Sequence, residues 1–216
     1  MSNVPPTLAE DAKRSSLGER AYDYVRDEIL RGNLAVGSIV AEGAVAESLG
    51  VSKTPVRQAL QLLRREGLLE VGPRRQMIVR GLSAEQRQEI VDVRIALESL
   101  AVQRACERLT VEEVDYFHVM LRQQRRAVIA GAEEQFIALD EEFHLQIARA
   151  AGLPTVESFL RQLRGFVRIM RLGSTRSPGY LFKVWEEHSA IVDALESRKP
   201  VPAVKTLRAH LEQRDY

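Results

Sequence analysis

Apolar residues recur at helical spacing through most of the chain, interrupted near the start by a short stretch of different period. Between Ser16 and Arg31, Ala21, Val25 and Ile29 share one face of a helix that ends at Gly32. Turns at Gly32-Asn33 and Ala35-Val36-Gly37 lead to a short strand, Ser38 to Val40, and then to a short helix, Glu42 to Leu49, closed by Gly50. The next helix stops at Gly67. In it Val56, Leu60 and Leu63 recur at i, i+4, i+7 beside Ala59. Thr54 is the expected N-cap, which puts Pro55 at the first helical position, where its missing N–H costs nothing. Leu68 to Val71 and Gln76 to Arg80 read as strands around Gly72-Pro73-Arg74-Arg75. Three helices followed by a β-hairpin make a winged helix-turn-helix over residues 15–80.

Gly81-Leu82 marks a junction, and from residue 83 to 216 every segment has the helical period. Ser83-x-x-Gln86 and Thr110-x-x-Glu113 have the form of capping boxes. Gly131, Gly152, Gly173 and Pro200 divide the remainder into helices near 84–108, 111–130, 133–151, 155–172, 178–197 and 201–214. The expected fold is mainly α: a winged helix-turn-helix followed by an antiparallel six-helix bundle with its own core. Residues 1–14, with Pro5, Pro6 and alternating charges, read as a disordered arm.

Charge adds a direction to this picture. The net charge of the 216 residues is only +1, yet Ser52 to Arg80 carries seven Lys/Arg against two Asp/Glu. An anionic partner is expected at that end of the molecule. Ser52, Lys53 and Thr54 at the helix entrance, with Arg57 and Gln58 on its polar face and Arg74 and Arg75 at the hairpin tip, suit phosphates and base edges. Extended basic tracts and stacking aromatics, which an RNA-binding protein needs, do not appear. No apolar run reaches the length of a membrane helix. The single cysteine, Cys106, fits a reducing cytoplasm.

The bundle carries polar residues on its apolar stripes. Phe136, Leu139, Phe143 and Ile147 form one stripe, and Asp140 and His144 lie within it one turn apart. His188 sits in the middle of Leu181, Val184, Ile191 and Leu195, and His210 lies beside Val204, Leu207 and Leu211. A buried Asp140 needs a cation, and imidazoles with a carboxylate suit Zn²⁺, Ni²⁺ or a related divalent ion. Hydrogen-bonded core histidines and an Asp140–His144 helix-face pair are the competing reading. Arg94, between Ile90 and Leu97, either pairs with Glu98 or clamps a ligand carboxylate, and Arg168 is a second candidate for that role. His118 reads as a packing or surface residue. A metal-dependent hydrolase is the rival function, but Glu141 and Glu187, the available general bases, are expected off the buried stripe.

Residues 17–80 resemble the DNA-binding domain of GntR-type bacterial transcription regulators. The matching residues are Ile29-Leu30-Arg31-Gly32 with Gly37, Glu42…Val45-Ala46…Leu49-Gly50, and Val51-Ser52-Lys53-Thr54-Pro55-Val56-Arg57-Gln58-Ala59-Leu60…Leu63…Glu66-Gly67-Leu68. The helical remainder is similar to the FCD-type effector domain of the FadR-like branch, and six helices rather than seven point to its VanR-like subgroup. Two positions depart from the pattern. Gln76 follows the wing tip where the family usually has glycine, and Gly43 stands where some relatives set an arginine against DNA. The resemblance implies a homodimer on a palindromic operator, a small organic acid effector, and a metal held by an Asp-x-x-x-His helix and two later histidines. Those positions are Asp140, His144, His188 and His210.

Overall fold

The computed structural model describes residues 16–171 and 179–212, so the expected N-terminal arm lies outside the described residues. The chain divides into two units at Gly81–Leu82.

In the first unit, α1 (Leu17–Leu30) opens on a capping box. The Glu19 N–H donates to Ser16 Oγ at 3.1 Å, and the Ser16 N–H donates back to the Glu19 carboxylate at 2.6 Å. β1 (Ile39–Val40) and α2 (Glu42–Leu49) follow, and α2 ends at Gly50 in a left-handed conformation (φ 63°). Next come α3 (Lys53–Arg65), β2 (Leu69–Val71) and β3 (Met77–Val79). The strands form an antiparallel sheet in the order β1-β3-β2, with Val40 opposite Met77 and Leu69 opposite Val79. Ala21, Val25 and Ile29 of α1 pack toward Val56, Ala59, Leu60 and Leu63 of α3, and all seven side chains are fully buried. The apolar stripe thus points inward and leaves the basic face of α3 to solvent.

The start of α3 differs from expectation. Ser52, not Thr54, is the N-cap, and no side-chain cap bond forms. Pro55 is therefore the third helical residue. The first-turn N–H groups have no intrahelical acceptor in any case, so proline costs nothing there either.

The second unit contains α4 (Ala84–Arg108), α5 (Val111–Ile129), α6 (Glu133–Ala150), α7 (Pro154–Arg171), α8 (Tyr180–Glu196) and α9 (Pro200–Glu212). Both expected capping boxes form, Ser83 with Gln86 and Thr110 with Glu113. The expected extensions to 172, 178, 213 and 214 fall outside the described residues. α4 packs against α6, α7 and α9, while α5 packs against α6 and α8. Phe143 is fully buried and meets Phe117 edge to face at 5.7 Å. Among the described residues no helix is long and apolar enough to cross a membrane.

Candidate metal centre and nucleic-acid interface

His144 on α6, His188 on α8 and His210 on α9 converge in the interior of the helical unit. One ligating atom from each lies within 4.8 Å of the others, and all three residues are buried. His144 Nε2 and His210 Nε2 are 3.4 Å apart. Phe143, next to His144 in sequence, stacks on the His188 ring at 4.2 Å and fixes its plane.

The opposite edge of each ring is tied to an oxygen. His144 Nδ1 donates to Glu98 Oε2 at 2.6 Å. His188 Nδ1 donates to Gln124 Oε1 at 2.9 Å, and Gln124 is turned the right way because its Nε2 donates to the Leu139 carbonyl at 3.2 Å. His210 Nδ1 donates to Glu187 Oε2 at 2.8 Å. These bonds place the proton on Nδ1 and direct Nε2 inward as a lone pair in each neutral ring. Burial holds the His144 pKa below its ordinary value, although Glu98 pulls the other way. Two inward lone pairs at 3.4 Å repel one another, and a cation between them removes the conflict. The donor set fits a divalent ion of the Zn²⁺ or Ni²⁺ type.

Asp140 is 2 % exposed and lies at the edge of this cluster. Its Oδ1 faces His188 Nε2 at 3.5 Å, and its Oδ2 accepts from Arg171. The three histidines form the tight donor group, and Asp140 bridges them to α7.

Arg94 takes the intrahelical option, with Nε 2.8 Å from Glu98 Oε1. Burial opposes ionisation of Glu98, but Arg94 and His144 outweigh it and hold that carboxyl at about 2. Arg168 grips Glu141 with two bonds, of 2.6 and 2.7 Å. Glu141 is buried, contrary to the expectation that it lies off the stripe, because α7 covers that side of α6. The arginine row of α7 thus meets an acidic run on α6: Arg171 with Asp140, Arg168 with Glu141, and Arg164 with Glu142. A cavity of about 30 Å³ lies between Arg94, Glu98, Asp140, His144 and Arg164. That is room for about two waters.

Glu98, Gln124, Glu187 and Arg171 complete the centre without having been singled out from sequence as parts of it. Gln124 left a signal: a fully buried amide on the Phe117, Met120, Leu121 stripe of α5. His118 is half-exposed and pairs with Glu196 at 2.5 Å, clear of the cluster.

In the first unit, Ser52, Lys53, Thr54, Arg57, Gln58, Arg74 and Arg75 are all exposed. Arg57 lies on α3, where its guanidinium makes bonds of 3.0 and 2.9 Å to the Glu42 carboxylate of α2. That pair holds Glu42 below the usual carboxylate range, through its hydrogen bonds to Arg57. Arg75 occupies a left-handed backbone position (φ 58°) at the hairpin tip, where glycine would carry no strain. A side chain on Gly72 would meet Gln76 at 2.7 Å, so Gln76 folds back over the wing.

A winged helix-turn-helix with an exposed basic helix, followed by a helical unit with a polar interior, defines a DNA-binding transcription regulator. Residues 17–79 match the model for bacterial regulatory proteins of the gntR family, and residues 89–213 match the FCD domain. The chain belongs to the gntR family and carries an FCD effector domain. It is 33% identical over 209 residues to the probable D-xylose utilization operon transcriptional repressor of Paenarthrobacter nicotinovorans, covering 92% of this chain and 87% of that one. It is 26% identical over 200 residues to the transcriptional repressor RspR of Escherichia coli K12, covering 91% and 86%. The structure of E. coli McbR/YncC superposes with a TM-score of 0.74 at 26% identity, covering 93% of this chain and 95% of that one. These relatives are regulators, not enzymes, which sets the hydrolase reading aside. The geometry agrees, since Glu141 is clamped by Arg168 and Glu187 is committed to His210.

Proposed function

We propose that the helical unit holds a divalent ion, Zn²⁺ or Ni²⁺, and that a small organic acid bound beside it sets the affinity of the first unit for its operator. The carrying observation is the convergence of one ring nitrogen from each of three imidazoles whose Nδ1 atoms are each anchored by an oxygen. His144, His188 and His210 are the ligands, with Asp140 the further donor. When bound, the ion supplies a Lewis-acidic centre with positions open to a carboxylate. Arg94 and Arg168 are the cations that orient the acid, once Glu98 and Glu141 yield part of their hold.

On the DNA side, Lys53, Arg57 and Gln58 of α3 read bases or phosphates in the major groove, with Ser52 and Thr54 at the helix entrance. Arg74 and Arg75 at the wing tip contact the backbone or the minor groove. The protein acts in the cytoplasm as a homodimer on a palindromic site, and Val93 and Leu100, both exposed on one face of α4, supply an apolar surface for the second copy. A monomeric mass in sedimentation would remove the dimer. The acid changes operator affinity only by the difference in its own affinity for the DNA-competent and DNA-incompetent forms.

Elemental analysis of protein purified without chelator tests the metal. The wild type is expected to carry the ion and His188→Ala to lose most of it. Equal content in both removes His188 from the site. A thermal-shift screen of small organic acids, with and without chelator, tests the effector: stabilisation that survives the chelator unchanged separates the acid from the metal.

A further inference from the structure

The outer rung of the α6–α7 ladder ends on a residue of the metal centre. Asp140 is almost wholly buried, and a carboxylate withdrawn from water requires a positive partner. Its two oxygens face different elements: Oδ2 accepts from Arg171 in the last turn of α7, and Oδ1 faces His188 Nε2. With Nδ1–H spent on Gln124, His188 aims its Nε2 lone pair at Oδ1. A divalent ion held by the histidines would stand between that lone pair and Oδ1. It would share one small carboxylate with a guanidinium, and two cations so close repel strongly where the dielectric is low.

We propose that Arg171 and the divalent ion are alternative counter-cations for Asp140, so that loading the histidine site displaces the Arg171 guanidinium from that carboxylate. This rests on the metal reading above. The other rungs can stay closed while the last one opens, since Arg168 and Arg164 are held by Glu141 and Glu142. Leu160, Val167 and Met170 keep α7 in the core through to its last turn, where Arg87 also donates to the Met170 carbonyl. The exchange is therefore confined to the Arg171–Asp140 contact and leaves the packing of α7 in place.

The test is Zn²⁺ titration of the full chain against a chromophoric chelator, with thermal melts at zero and saturating Zn²⁺. Arg171→Gln is expected to tighten Zn²⁺ binding about tenfold, the order of a coupled pair. It is also expected to melt earlier than wild type without the ion and to close that gap when saturated. Arg171→Lys, which keeps the charge but loses the fork, is expected to fall between. In an Asp140→Asn background, Arg171→Gln is expected to add nothing. Unchanged or weaker Zn²⁺ binding in both Arg171 variants, with wild type binding through His188, overturns the exchange and leaves the metal site standing. If wild type and His188→Ala both take up no Zn²⁺, the metal reading fails and the exchange falls with it.

Discussion

Glu98 joins the stability of the helical unit to the chemistry of its centre, and Glu98→Gln separates the two. The carboxylate is 1 % exposed and accepts from Arg94 Nε at 2.8 Å and His144 Nδ1 at 2.6 Å. A glutamine keeps the shape but offers one carbonyl oxygen to two donors and turns its NH₂ toward the other. The Arg94 guanidinium then loses its closest negative charge. Breaking a buried ion pair in this way costs about 3–5 kcal/mol. His144 also loses the acceptor that fixes its tautomer, and partners of that kind are worth about 10–100-fold in metal affinity. Urea unfolding followed by far-ultraviolet circular dichroism reads the first effect, and chelator competition reads the second. A double variant, Arg94→Met with Glu98→Gln, is expected to regain much of the stability while metal affinity stays low, since only the charge imbalance is repaired. A loss below about 1 kcal/mol with unchanged metal affinity would falsify the assignment of Glu98 to both roles.

Two further outcomes follow from the same geometry. Arg57→Ala is expected to weaken operator binding by about 1–3 kcal/mol in a gel shift, with a smaller effect on nonspecific DNA, and an equal loss on both probes refutes base contact by Arg57. Acid is expected to remove the Glu98 contribution in a definite window. The folded carboxyl titrates at about 2 against an ordinary 4.5, so the stabilisation is complete above about pH 4.5 and fades as the pH falls toward 2. Unfolding free energy that falls with the same slope in wild type and Glu98→Gln across that range refutes it.

Much of the fold was legible because its signals are local. The capping boxes at Ser83 and Thr110 and the punctuating glycines mark helix ends within a few residues of the chain. The start of α3 misled because Thr54-Pro55 looks like a cap followed by a first-position proline, while a proline two positions further into the first turn is equally free of cost. The histidines were legible as residues on interior stripes, since periodicity reports which way a side chain points. Their partners were not. Glu98 and His144 are 46 residues apart, Gln124 and His188 are 64 apart, and only packing of the helices brings them together. Glu141 escaped for a related reason: its burial depends on α7 lying over α6, and the period of α6 alone carries no trace of that.

The length of α4 has a mechanical meaning. It runs unbroken from Ala84 to Arg108, beginning just beyond the Gly81–Leu82 junction, with Arg94 and Glu98 near its middle. Fourteen residues separate Ala84 from Glu98, a lever arm of about 21 Å at the helical rise. A tilt of about 5° about Glu98 therefore swings the junction end by about 2 Å. A change in how Glu98 is held would thus be larger at the first turn of α4 than at the centre itself.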